Sequence, residues 1–204
     1  MNYPATHPPL RNRYFALRHG ESTANVAQLI VSQPAHGLAD YGLTPRGRQQ
    51  VAERLQPSSP FSGHRLVIYS SDFARTRQTA AIAASLLNVP EVSCSPLLRE
   101  RDFGDWELGS VTAYRTVWTA DAANPDYIQR GVESVNHVLE RTTQLIRQLE
   151  RQHVDHDIIL VSHGDPLHIM QTAFLNLPPS QHCSLPPLQN AELRLLGGSQ
   201  QVSA

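Results

Sequence analysis

The chain has 204 residues, of which 40% are hydrophobic and 17% are charged, and its formal net charge is −1. These proportions are typical of a soluble globular protein, and the balanced charge argues against a nucleic-acid surface or a polybasic membrane contact. No apolar stretch approaches the length that would span a bilayer, so we expect no membrane segment.

Two further observations concern the cellular compartment. Residues 1–9 lack the apolar region of a signal peptide. Cys94 and Cys183 are too few for a disulfide framework, so we expect two reduced thiols and a cytoplasmic location.

Apolar and helical patterns alternate along the chain. In chain order they predict a strand over Arg13 to Leu17, a helix from Pro45 to about Leu55, a strand over Leu66 to Tyr69, a helix from Ala74 to Leu87, a strand over Val92 to Cys94, a helix from Ser134 to about Gln152, a strand over Asp157 to Val161, a helix to about Leu175 and a last strand over Leu193 to Leu196. Thr44 is suited to the N-cap of the first helix, and Ser70 to Asp72 can cap the second.

This alternation predicts an α/β fold, with a mostly parallel central sheet and helices on both faces. In such folds ligands bind beyond the carboxyl ends of the strands. Arg18 and His19 follow the first strand, Arg75 lies one turn after the second, and His163 follows the strand that ends at Val161. We therefore expect these side chains to meet at one edge of the sheet.

Arginines and imidazoles in one place suit the binding of a phosphoryl group, which carries negative charge on its outer oxygens. Arg18 and Arg75 can each donate paired N–H groups to a phosphate. Their positive charges should lower the pKa of His19 and leave it neutral, with a lone pair for nucleophilic attack. His163 would then donate to a phosphate oxygen. Alone, His19 is better interpreted as a structural histidine at a strand end; its partners favour the catalytic interpretation.

Phosphoryl transfer to a nucleophile also needs an acid that protonates the leaving oxygen. Glu100 is the best candidate, because the aromatic and glycine residues around it can form a pocket wall and a bound phosphate would raise its pKa. Three other carboxylates lie nearby in sequence: Asp102, Asp105 and Glu107.

Several segments form one ordered set: Leu17 to Ser22 with Asn25, Asp40 to Gly47, Ser71 to Ala80, Leu98 to Glu107, Gly131 to Ser134, and Val161 to Gly164. In this order they resemble the motifs of the histidine phosphatase superfamily, in its phosphoglycerate mutase-like group (branch 1). The resemblance covers about Tyr14 to Phe174. Each segment alone is a weak signal, whereas the ordered set is specific.

The resemblance implies a histidine acid-type phosphatase that needs no metal and no cofactor and hydrolyses a small phosphomonoester. It implies that His19 is phosphorylated and that Glu100 first protonates the leaving group and then activates water. The remaining phosphate contacts that it implies are Arg18, Arg75, His163, Asn25 and the backbone N–H of Gly164.

The chain departs from the family pattern in one region that bears on the substrate. The segment of residues 26–39 is longer than the corresponding segment of the compact mutases. It carries Val31 and Ser32 in place of a Thr-Gly pair, which makes Ser32 a candidate substrate contact. We expect specificity to come from residues 32–39 and from an insertion, Gly109 to Gly131. This insertion is predicted to form a helical cap, at about residues 105–133 of a single domain spanning residues 1–204.

Other functions are compatible with the same pocket. A phosphoglycerate mutase-type phosphotransferase shares the first half-reaction but needs covering segments, and by its resemblance to the family this chain looks short for them, which favours hydrolysis. A non-catalytic phosphate-binding regulator would not need Glu100. The sequence leaves the substrate open among sugar phosphates, phosphoglycerates, phosphoserine and nucleotide-derived phosphates. It also allows a homodimer through an exposed sheet edge.

A run from His153 to Asp157 has the residue types of a metal site. His153 and His156 share no helical face with a clear third ligand, so we interpret the run as a solvated loop.

Overall fold

A sheet of five strands lies at the centre of the computed structural model, which describes residues 10–55, 60–61 and 65–198. The strands are β1 (Arg13–Arg18), β2 (Arg65–Ser70), β3 (Val92–Cys94), β4 (His156–Ser162) and β5 (Leu193–Gly198). Their order is β3-β2-β4-β1-β5, in which β1 to β4 are parallel and β5 runs antiparallel to β1. The predicted mostly parallel sheet is confirmed, and β3 and β5 form its edges.

Seven α-helices surround the sheet within these described residues: α1 (Thr23–Ala27), α2 (Pro34–Gly37), α3 (Pro45–Arg54), α4 (Ala74–Leu87), α5 (Tyr114–Ala123), α6 (Val135–Gln152) and α7 (Gly164–Phe174). Short 3-10 helices lie at Pro96–Leu98, Gly104–Trp106, Val111–Ala113, Gln129–Gly131 and Pro179–Ser184. The predicted strands and longer helices are present, with ends shifted by a residue or two. The sequence did not predict α1, α2 or the 3-10 turns, because segments this short carry no readable periodicity.

The helices cover both faces of the sheet, as predicted. Phe15 and Leu17 of β1 point to one face, where they pack in a cluster with residues of α3 and α4. Tyr14 and Ala16 point to the other face and pack with residues of α6 and α7. This alternation explains why β1 is apolar throughout, since both of its faces are buried.

The caps differ between the two helices for which the sequence predicted them. Thr44 caps α3 as expected, because its Oγ1 accepts a hydrogen bond from the N–H of Gly47 at 2.9 Å. The prediction for α4 was wrong: its N-cap residue is Phe73, which makes no side-chain capping bond. Ser71 is instead hydrogen-bonded to His163.

The turn after β1 packs against the start of α3 through two glycines. A Cβ on Gly20 would stand 2.4 Å from the carbonyl oxygen of Gly47, and a Cβ on Gly47 would stand 2.0 Å from that of Glu21. These distances are too short for any side chain, so only glycine allows α3 to lie against the turn that carries His19. Within the described residues, no helix is long and apolar enough to cross a membrane.

We expect Gly47→Ala to destabilise the protein by about 2 kcal/mol, because the added methyl group would push α3 away from the backbone of Glu21. Urea denaturation measures this change. Gly42→Ala is the matched control: the atoms that its Cβ would meet belong to the flexible side chain of Gln78, at 2.8 Å and beyond. Equal stability losses in both variants would contradict the close approach.

Candidate active site

The register of the parallel strands brings two histidines together at the carboxyl edge of the sheet. Arg18 at the end of β1 pairs with Ser162 at the end of β4, so His19 and His163 both follow directly at that edge. Their ring centroids are 5.3 Å apart and the rings are inclined at 65°. Residues 144 positions apart in the sequence therefore line one site.

His19 is held in one tautomer. Its Nδ1 lies 2.7 Å from the carbonyl oxygen of Gly20. A carbonyl can only accept, so Nδ1 carries the hydrogen and the lone pair is on Nε2. Nε–H of Arg75 donates to that lone pair at 3.2 Å.

The environment keeps the His19 ring neutral. Burial lowers its pKa well below the ordinary value, and the charges of Arg75 and Arg18 lower it further. The sequence predicted this direction from the arginines alone; in the structure burial is the larger cause.

The main chain of His19 is fixed by a loop that the sequence analysis did not single out. The carbonyl oxygen of His19 accepts hydrogen bonds from the N–H of Ala191 at 3.1 Å and from Nδ2 of Asn190 at 3.2 Å. The same loop binds Arg18, whose Nη1 donates to the carbonyl of Leu188 at 2.6 Å. Nothing in the local pattern of these residues signals this role, which depends on β5 returning beside β1.

Arg75 is 3% exposed and lies between the ring of His19 and the loop that contains Val31. Its Nη2 donates to the carbonyl of Val31 at 2.8 Å, and its guanidinium lies over the ring of Phe73, 5.2 Å from the centroid. Among the described residues, Nη1 of Arg75 and Nε of Arg18 are buried nitrogens without a hydrogen-bond partner. Both are donors, so each can bind an anion.

His163 is fully buried and takes the N-cap position of α7, although its side chain makes no capping bond. Its Nε2 is 2.9 Å from Oγ of Ser71, whereas its Nδ1 has no partner among the described residues. Burial and the charge of Arg75 lower the pKa of His163 well below its ordinary value. The backbone of Gly164 follows at the start of α7, where a Cβ would stand 3.8 Å from Cζ of Arg18.

The carboxyl group of Glu100 has a pKa raised to near neutral pH. Burial and the neighbouring carboxylate of Asp165 raise its pKa to about 7, against the opposing effects of Arg75 and Arg18 and of a hydrogen bond from the N–H of Arg101 to Oε1 at 3.0 Å. The sequence predicted a raised pKa caused by a bound phosphate. Here the protein itself raises it.

Asn25 uses its amide oxygen to organise the turn after β1. That oxygen accepts hydrogen bonds from the N–H of Ser22 at 3.0 Å and from Nδ2 of Asn190 at 3.3 Å. Its own Nδ2 makes no hydrogen bond with any described residue, and it remains a donor for a phosphate oxygen.

Ser32 is buried and its hydroxyl is already engaged. The hydroxyl donates to Oε2 of Glu107 at 2.6 Å and accepts from the N–H of Phe103 at 3.1 Å. Glu107 also accepts hydrogen bonds from the backbone of Gln33 and from the ring of His36. Glu107 thus anchors the loop before α2, and a substrate contact by Ser32 stays a prediction that would require this bonding to change.

The predicted cap contains the helix α5. Its first residue, Tyr114, stacks on Trp118 with centroids 5.4 Å apart and meets the ring of Phe103 edge-on at 4.7 Å. Burial raises the pKa of Tyr114, and the carboxyl groups of Glu100 and Asp165 raise it further, so the phenol shares the electrostatic environment of the acid.

The His153 to Asp157 run lies apart from these residues, at the junction of α6 and β4. His153 is 2.9 Å from the hydroxyl of Tyr69, and His156 bonds the carbonyl of Val154. In the part of the chain that the structure describes, no group of three or more His, Cys, Asp or Glu side chains is placed to hold a metal ion.

Comparison with known proteins agrees with this geometry. The family model of the histidine phosphatase superfamily (branch 1) matches residues 14–202. The chain belongs to this family. The expected family and fold are confirmed, and the protein is a phosphoric monoester hydrolase.

Individual relatives are enzymes with different substrates. The chain is 29% identical over 188 residues to the metal-independent phosphoserine phosphatase of Arabidopsis thaliana, covering 88% of this chain and 74% of that protein. It is 29% identical over 203 residues to the glucosyl-3-phosphoglycerate phosphatase of Mycolicibacterium vanbaalenii, covering 91% of this chain and 84% of the relative. A solved mycobacterial glucosyl-3-phosphoglycerate phosphatase superimposes with a TM-score of 0.73 at 25% identity, over 89% of this chain and 87% of that one.

Proposed function

We propose that this histidine phosphatase hydrolyses a small phosphomonoester through a covalent phosphohistidine on His19. The observation that carries the proposal is the tautomer of His19, because the hydrogen bond from Nδ1 to Gly20 leaves the lone pair on Nε2, next to Arg75. A neutral imidazole between guanidinium groups is a nucleophile placed beside donors for an anion.

In the first half-reaction, Nε2 of His19 forms a bond to phosphorus and the bond from phosphorus to the leaving oxygen breaks. The entering phosphate accepts the hydrogen bond from Nε–H of Arg75, and this frees the lone pair on Nε2 of His19. Three nitrogens without partners among the described residues, Nε of Arg18, Nη1 of Arg75 and Nδ1 of His163, supply further hydrogen bonds. Nδ2 of Asn25 and the N–H of Gly164 are the other proposed donors.

Glu100 handles the proton in both half-reactions. It gives its proton to the leaving oxygen, and the resulting carboxylate then takes a proton from the water that attacks the phosphohistidine. Hydrolysis releases inorganic phosphate and returns both His19 and Glu100 to their starting states.

The relatives support a small phosphorylated metabolite as the substrate, since their names specify phosphoserine and glucosyl-3-phosphoglycerate. We propose that residues 32–39 and α5 select among such metabolites. A cytoplasmic location, metal independence and a homodimer stay predictions.

His19→Ala should reduce phosphate release from an aryl phosphate and from a panel of small phosphomonoesters by at least about a thousandfold, because no other group takes up the phosphoryl group. His137→Ala, which changes an exposed histidine of α6, should retain full activity. Undiminished turnover in His19→Ala would refute the proposal, and so would loss of wild-type activity on metal chelation. If 3-phosphoglycerate gave more isomer than free phosphate, the protein would be a mutase instead.

The pH dependence tests the role of Glu100. Its carboxyl must be protonated to act as an acid and its pKa is about 7, so kcat/KM should fall as the pH rises through about 7. Glu100→Gln should lose a factor of about 100 to 10,000 with a poor leaving group and should no longer show this basic limb. A basic limb that persists unchanged in Glu100→Gln would assign the acid to another residue.

A further inference from the structure

A buried cluster of charges lies directly behind Glu100. Arg101, the next residue, is fully buried, and its Nη1 and Nη2 donate to the two oxygens of Asp121 at 2.7 Å each. Its Nε donates to the carbonyl of Glu133 at 2.7 Å. A second carboxylate, Asp165, lies 3.5 Å from Nη1. The mechanism proposed above uses none of these groups.

Asp165 is held firmly in this position. It is 6% exposed, and both of its oxygens lie 3.1 Å from Nε1 of Trp118, which donates to them from α5. It also occupies the first turn of α7, where the helix dipole favours a negative charge. The indole, the guanidinium of Arg101 and the helix end therefore all stabilise a carboxylate at this point.

The same residue, Arg101, connects Asp165 to the acid. Its backbone N–H donates to Oε1 of Glu100 at 3.0 Å, and its guanidinium contacts Asp165. The repulsion from the Asp165 carboxylate is, after burial, the largest effect that keeps the proton on Glu100.

The other groups that face Glu100 either oppose this effect or are neutral. Arg75 from α4 and Arg18 from β1 favour the ionised form. Arg141 of α6 reaches the Glu100 carbonyl at 3.4 Å, but its guanidinium is bonded to Glu133 at 2.8 Å. Tyr114 of α5 stays a neutral phenol, because burial raises its pKa. Asp165 is thus the fixed negative charge that offsets the two arginines.

We propose that Asp165, held by Trp118 and Arg101, is a positioning residue whose negative charge favours the protonated form of Glu100 in the free enzyme. The inference rests on the proposed role of Glu100 as the acid. The two arginines are the proposed phosphate ligands, and their charges lower the pKa of Glu100, an effect that the Asp165 carboxylate opposes together with burial. Because Trp118 lies on α5, this helix takes part in setting the protonation of the acid.

The test is the pH profile of kcat/KM, measured for every variant with the same aryl phosphate. The ionisation of that substrate then affects all the profiles equally. Asp165→Asn should move the basic limb to lower pH by about one unit, because the like charge is gone. Asp165→Glu should keep the limb near its wild-type position. Asp126→Asn, which removes an exposed carboxylate after α5, should leave it in place. Asp165→Ser also removes the negative charge and serves as a second variant if Asp165→Asn disturbs folding. Thermal unfolding of each variant shows whether it is folded.

Two outcomes separate this inference from the proposed function. If Glu100→Gln removes the basic limb but neither neutral variant of Asp165 moves it, Asp165 is only structural and the inference is wrong. If Glu100→Gln leaves the limb intact, the acid itself has been misassigned. A uniform loss of kcat at every pH in the Asp165 variants would also count against a role in protonation.

Discussion

The parallel pairing of β1 with β4 is the constraint on which the site depends. Its register aligns Arg18 with Ser162, so the two histidines that follow stand side by side at the carboxyl edge of the sheet. The pairing of β2 with β4 brings Ser71 to the same edge, where it bonds His163. Since a register shift of one residue would turn every side chain to the opposite face, the hydrophobic clusters on both faces hold the site in place.

The electrostatics of the site follow from burying opposite charges together. Burial and, after it, the arginine charges lower the pKa of both imidazoles and keep them neutral, which a nucleophile and a neutral donor require. The same arginines lower the pKa of Glu100, and the carboxylate of Asp165 raises it. One site thereby combines two neutral imidazoles with a carboxyl group whose pKa is raised to about 7, so the environment assigns different roles to its titratable groups.

Much of the fold and of the candidate site could be read from the sequence, because both depend on local signals. β1, α4 and α6 have clear apolar or helical patterns, and the residues that follow strand ends in an α/β fold are brought together by topology alone. Other parts could not be read, for physical reasons. α1 and α2 are too short for periodicity, and the Asn190 loop acts through backbone contacts created by β5. The bonding of Asp165 to Trp118 depends on how the cap helix packs against α7, which no spacing encodes. Ser71 looked like a helix cap because the same hydroxyl suits both roles.

Trapping the phosphoryl group on Nε2 of His19 tests the proposed covalent intermediate most directly. The wild-type enzyme would be mixed rapidly with an aryl phosphate and quenched in alkali, where phosphohistidine survives, and the peptides would be mapped by mass spectrometry. A phosphoryl group should appear on His19 before steady-state turnover and disappear once the substrate is consumed. Turnover without any phosphoryl group on His19, or with one on a different residue, would contradict the proposed intermediate.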